Sequence, residues 1–140
     1  KSNADNDGRL INLLLEEFAL SSKNSKLYSS LGQFLYYNLL KKIDCVVGNS
    51  SSGLSEVPSF NKVTINIGDR QRSRIRSTSV LDVEIEEELI YTAIKKNVSK
   101  KLIKVINQYG NRDTPNKIVE ILEKFSLDKS ILKKRFFDNF

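Results

Sequence analysis

Histidine, methionine and tryptophan are absent from this 140-residue sequence, which has one cysteine and two prolines. Without histidine, these residues can build neither a Ser-His-Asp triad nor an imidazole general base. One cysteine makes no internal disulfide, and with no histidine beside it the usual zinc ligand sets are missing. No apolar run approaches the ~20 residues of a membrane span, and no signal peptide opens the chain. A cytoplasmic location without a membrane partner is therefore expected. The missing methionine and the abrupt Lys1 suggest a segment of a longer protein or a processed chain.

What remains is ordinary for a folded domain: 39% hydrophobic and 29% charged residues. A chain of this size buries about two-thirds of its unfolded surface, enough for one real core. The net charge, 23 − 17 = +6, is uneven. Residues 1–94 carry 11 basic and 12 acidic side chains, and residues 95–140 carry 12 and 5. A basic end of this kind attracts nucleic acid or an anionic surface. However, its lysines are not interleaved with aromatics in a stacking pattern, so solvated helix faces are the simpler reading and no nucleic-acid partner is expected.

Hydrophobic spacing predicts helices over 7–20, 30–42 and 85–97 and from Thr114 onward, plus a last one capped by Asp128. Asp7 and Thr114 stand as N-caps, with Pro115 in the first turn. The inward stripes read Ile11, Leu14, Leu15 and Phe18, then Leu31, Phe34, Leu35 and Leu39. Further along they read Leu89, Ile90, Ala93 and Ile94, then Ile118, Ile121, Leu122 and Phe125, and finally Leu132, Phe136 and Phe140. Lys41 and Lys42 suit the negative pole of the second helix. Short apolar runs predict strands at 43–47, 63–67 and 79–83, with a weaker one at 26–28. None pair through a two-residue hairpin signal. Helices alternating with such runs imply an α/β domain whose mostly parallel sheet is covered on both faces.

Ligands of such sheets bind beyond the carboxyl ends of the strands, and two strand ends here carry polar clusters. In Gly48-Asn49-Ser50-Ser51-Ser52-Gly53, small residues allow close backbone approach. Hydroxyls and amide groups can then face a phosphate or pyrophosphate. Glu56, one turn on, suits two adjacent hydroxyls such as those of a ribose. A plain serine loop with an exposed glutamate fits the same residues. The second cluster, Gly68 to Arg74, places arginines at 70, 72 and 74, with a further one at 76. On an extended segment, alternate arginines share a face and offer bidentate contacts to phosphate. Arg70 follows the strand end most closely. Cys45, inside an apolar strand, reads as a buried, inert thiol. Tyr36 and Tyr37 read as helix packing.

Three stretches together resemble the hydrolysing UDP-N-acetylglucosamine 2-epimerases: NADNDGRLIN at 3–12, SLGQFLYYNLLKKIDCVVGNSSSGLSEVPSF at 30–60 and VTINIGDRQRSRIRSTSVLDV at 63–83. GNSSSG with a glutamate three residues later, followed by NIGDRQ, is the specific combination. The resemblance implies a Rossmann-like domain, residues 1–140, forming the C-terminal, UDP-binding half of a glycosyltransferase-B arrangement. The facing N-terminal half would carry the proton-transferring carboxylates. Ser50, Ser51 and Ser52 would hold the pyrophosphate, Glu56 the ribose hydroxyls and Arg70 the nucleotide. Asn3, from the family's N-A-D motif, and Leu31, through its backbone, would complete the UDP site. No residue of this chain would be catalytic, and no metal or cofactor is implied.

The implied reaction takes UDP-N-acetylglucosamine and water to N-acetylmannosamine and UDP, by elimination across C1 and C2 and then hydration. A UDP-diacetamido-trideoxy sugar is the alternative substrate. Either route feeds sialic acid or sialic-acid-like sugar synthesis. The full-length protein is expected to be a homo-oligomer, and the fragment alone to bind UDP weakly and not to turn over. The family's YGDGNAS is replaced here by Tyr109-Gly110-Asn111-Arg112-Asp113-Thr114-Pro115, which puts any ligand role of that loop in doubt. A small basic nucleic-acid-binding module and a related glycosyltransferase are the rival readings.

Overall fold

The β-branched run VTINI becomes the middle of a three-stranded, all-parallel sheet in a computed structural model that describes residues 7–98, 104–110 and 113–125. The strands are β1 (Cys45–Gly48), β2 (Val63–Ile67) and β3 (Val80–Val83), in the order β1-β2-β3. Cys45 lies opposite Val63, and Thr64 opposite Val80. Successive residues of a strand point to opposite faces. Val63, Thr64, Ile65 and Asn66 are exposed by 3%, 1%, 0% and 0%, so β2 is covered on both sides. This is the expected Rossmann-like arrangement of a parallel sheet flanked by helices.

Among the described residues five α-helices accompany the sheet: α1 (Gly8–Ser21), α2 (Gly32–Leu40), α3 (Ser52–Ser55), α4 (Glu87–Asn97) and α5 (Thr114–Lys124). α3 and the 3₁₀ turn Val57–Phe60 carry the chain from β1 to β2. α4 lies against all three strands. Its first turn holds Glu87 and Glu88 and its last turn Lys95 and Lys96, matching the signs of the helix dipole. The apolar core is Leu40, Leu54, Val57, Val63 and Ile65. Residues 104–110 are tied to the segment from α3 through the 3₁₀ turn to Asn61. The Val105 amide donates to Asn61 Oδ1 at 3.2 Å, and Asn107 Nδ2 donates to Ser55 O at 2.7 Å and to Ser59 Oγ at 2.6 Å.

Several local expectations are corrected. Residues 26–28 form no strand and run as irregular chain between α1 and α2. Asp7 precedes α1 in a left-handed conformation (φ 62°), so its side chain makes no cap, and only its carbonyl serves, accepting the Ile11 amide at 3.0 Å. The cap position of α5 is Asp113, with Thr114 already helical. α2 ends at Leu40, before Lys41 and Lys42. Its buried residue is Leu40 rather than the Leu31, Phe34, Leu35 and Leu39 stripe. The apolar stripes of α1 and α5 are exposed: Phe18 by 61%, Leu14 by 56% and Leu122 by 67%. The expected helix from Asp128, with Leu132, Phe136 and Phe140, lies outside the described residues.

Candidate functional site

β1 ends on Gly48 at φ +146°, a conformation L side chains rarely adopt. The chain leaves the sheet there and enters the serine turn. Within that turn the amides of Gly53, Leu54 and Glu56 donate to the carbonyls of Ser50, Ser51 and Ser52 at 2.9–3.1 Å. Those carbonyls point into α3, the Ser52 amide donates to Ser50 Oγ at 3.4 Å, and the turn lies at the carboxyl end of β1. Gly53 explains why the turn sits so close to the sheet. A Cβ built on it would lie 2.6 Å from Thr64 Cγ2. The Thr64 hydroxyl donates to Gly53 O at 2.7 Å and clamps α3 to β2.

Glu56 follows α3 and is half-buried. Two tyrosines of α2 reach across to this segment. Tyr36 Oη and Ser52 Oγ share a hydrogen bond, and Tyr37 Oη donates to Glu56 Oε1 at 3.0 Å. The Tyr37 ring packs on Phe60 with centroids 5.5 Å apart and on Tyr36 at 6.0 Å. The packing expectation for these tyrosines is therefore met by their rings, and their hydroxyls add a contact to the site. Residue spacing could not reveal it, because the partners lie 16 and 19 positions apart across a reversal of the chain.

The second cluster joins the first through Gln71, which is 5% exposed and donates Nε2 to Asn49 O at 2.8 Å. The segment around it is not extended. The Arg72 amide bonds to Asp69 O and the Arg74 amide to Gln71 O, so two turns curl it, and the arginines do not share one face of a strand. Arg70 sits on the first turn, exposed, one residue from Gln71. Arg76 has a structural role. Its guanidinium donates to Arg72 O and Arg74 O and pairs with Asp82, which also accepts from the buried Asn66 at 2.7 Å.

Of the expected UDP-site residues, Ser50, Ser51, Ser52 and Glu56 thus share one turn. Arg70 stands on the neighbouring strand end, which is latched to that turn. Leu31 is half-buried at the start of α2, the helix that carries both tyrosines. Asn3 lies outside the described residues. A cavity of about 950 Å³ runs between β3 and α4, touching Gly68 and Asp69 but not the serine turn, and its lining mixes both charge signs. Cys45 is half-buried rather than buried. Burial first, and then the Asp44 carboxylate, push its thiol above the usual range, which keeps it protonated and unreactive. Among the described residues, no cluster of three possible metal ligands occurs, and no helix is long and apolar enough to cross a membrane.

A parallel sheet flanked by helices, with polar loops at two adjacent strand ends, places the chain among the Rossmann-like α/β proteins. The chain belongs to the UDP-N-acetylglucosamine 2-epimerase family, whose model matches residues 1–123. It is 39% identical to a GDP/UDP-N,N'-diacetylbacillosamine 2-epimerase (hydrolyzing) of Campylobacter jejuni, over 99% of this chain and 37% of that protein. It is 33% identical to a UDP-N,N'-diacetylbacillosamine 2-epimerase (hydrolyzing) of Legionella pneumophila, over 94% of this chain and 35% of the relative. Polysialic acid biosynthesis protein P7 of Escherichia coli is 36% identical over 98% of this chain and 36% of its own length. The chain therefore spans little more than a third of these relatives.

Proposed function

We propose that this chain is the UDP-gripping part of a hydrolysing UDP-sugar 2-epimerase, the rest of which carries the proton-transferring groups. The observation that carries the reading is the Gln71–Asn49 hydrogen bond, because it ties the loop bearing Arg70 to the turn bearing the serines and Glu56. Ser50, Ser51 and the turn amides would hold the diphosphate, and Arg70 would neutralise it. Glu56 would accept from the ribose hydroxyls. Leu31 would contribute backbone to the base, and Asn3 would close the site.

In the reaction, a base removes the proton at C2 of the sugar and the C1–O bond to UDP breaks, giving a glycal. Water then adds its hydroxyl to C1 and a proton to C2, releasing the 2-epimeric sugar and UDP. The work of this chain is to stabilise negative charge on the departing diphosphate. The relatives favour a diacetamido-trideoxy sugar over UDP-N-acetylglucosamine. Two of those at 33% identity or above are named for N,N'-diacetylbacillosamine, whereas a UDP-N-acetylglucosamine 2-epimerase of Neisseria meningitidis is only 26% identical.

Thermal unfolding of the complete protein with and without UDP tests the nucleotide site. Saturation at about 100 Kd stabilises by ~2.7 kcal/mol. This shift is expected to vanish in Glu56→Ala and Arg70→Ala. Salt-dependent binding of DNA or RNA with no UDP effect would instead favour the nucleic-acid module. Turnover by the isolated 140 residues would refute the division of labour.

A further inference from the structure

The phenol layer under the serine turn is not used by the nucleotide reading as stated. A glutamate has three side-chain torsions and loses rotamer freedom when it must meet a ligand in one geometry. Here that geometry is prepared in advance. Tyr37 is held on two sides by Tyr36 and Phe60, and its hydroxyl donates to Glu56 Oε1 at 3.0 Å. A carboxylate has about four acceptor sites, so one bond from a phenol leaves capacity on both oxygens for two further hydroxyl donors. Tyr36 engages Ser52 instead and belongs to the neighbouring, diphosphate side.

We infer that Tyr37 is a positioning residue that holds the Glu56 carboxylate in the rotamer meeting a ribose, and so sets the preference of the site for ribonucleotides over deoxyribonucleotides. The inference rests on the nucleotide reading of Glu56 given above. Fixing the carboxylate beforehand removes part of the ordering cost of binding. The benefit is confined to ligands that use the carboxylate. A nucleotide without the 2′-hydroxyl collects less of it, whereas the diphosphate and base contacts are unaffected.

The test is calorimetric titration of UDP and of 2′-deoxy-UDP into the complete protein and into its Tyr37→Phe, Glu56→Gln and doubly substituted forms. Phenylalanine keeps the ring against Phe60 and Tyr36, and unfolding midpoints check that each variant is folded. Tyr37→Leu, read in the same way, replaces the Phe variant if that one does not fold. The wild type is expected to prefer UDP. Tyr37→Phe is expected to weaken UDP about fivefold while leaving 2′-deoxy-UDP within about twofold, and to add nothing in the Glu56→Gln background. If Glu56→Gln removes the ribose preference but Tyr37→Phe leaves it intact, or weakens both nucleotides equally, the inference is overturned and the nucleotide reading stands. If the wild type binds neither nucleotide, or Glu56→Gln keeps the preference, the nucleotide reading falls and takes the inference with it.

Discussion

Gly53 is the residue on which the position of the serine turn depends. A methyl group there would meet Thr64 Cγ2 at 2.6 Å, and Thr64 cannot swing away without giving up its 2.7 Å bond to Gly53 O. Gly53→Ala is expected to cost about 1–3 kcal/mol, as overpacking does, and to weaken UDP binding because α3 must lift off β2. Thr64→Ser removes the clashing methyl and keeps the hydroxyl, so the double variant should regain part of the loss in a denaturant titration. A neutral Gly53→Ala would show that α3 is not pinned there. Cys45 gives a second expectation at this scale. With its thiol raised by burial and by Asp44, the thiolate fraction at pH 8 is smaller than that of a free cysteine. Alkylation should be slow at that pH and climb only at higher pH, and a rate equal to that of a cysteine peptide would contradict the assignment. That Ser50, Ser51 and Glu56 would share one turn was legible, because small residues after a short apolar run signal a turn and Glu56 follows within a few positions. Tyr36 and Tyr37 were not, since nothing in a helix's own spacing tells which loop its polar tips will touch.

At the level of elements, the arginine-bearing loop shows how composition misleads about shape. Alternating arginines suggest an extended segment, yet the bonds from Arg72 N to Asp69 O and from Arg74 N to Gln71 O make turns of it. The element is held by Gln71, whose carboxamide is buried and bonded to Asn49 O, and by the Arg76–Asp82 pair. Replacing Gln71 by leucine removes the Nε2 donor that ties this loop to Asn49 O, and an intramolecular hydrogen bond contributes about 0.5–1.5 kcal/mol. Gln71→Leu is therefore expected to lower stability in urea and to weaken UDP binding by more than Arg74→Ala does, even though Gln71 is assigned no ligand contact. Equal effects would mean that the latch does not align the two strand ends. β2 was legible because a β-branched run covered on both faces reads as a buried strand, whereas β3 carries the exposed Leu81 and Asp82 and was marked by its valines. The run at 26–28 looked similar but has no strand to pair with among the described residues, and periodicity carries no information about partners.

The whole molecule carries apolar surface that its own described residues do not cover. On α1, Leu10, Leu13, Leu14 and Phe18 are exposed by 56–61%, and on α5, Ile118, Val119, Ile121 and Leu122 by 52–67%. In both helices the 3.6-residue pattern is real, so what the sequence could not reveal was the element each stripe packs against. β1 pairs with β2 along one edge, and its Val47 is 42% exposed. Contiguous apolar patches and sheet edges of this kind mark interaction surfaces or aggregation liabilities. The chain spans 35–37% of its relatives' length, and we propose that the remaining part of an epimerase covers these surfaces. The isolated 140 residues are accordingly expected to bind a hydrophobic dye such as ANS strongly and to self-associate as concentration rises. The complete protein should bind little dye, and Leu14→Glu should reduce dye binding by the isolated chain while destabilising the complete protein. That opposite response separates a covered interface from a surface that is merely apolar. If Leu14→Glu leaves the complete protein's unfolding midpoint unchanged, α1 faces solvent there too, and its stripe needs another explanation.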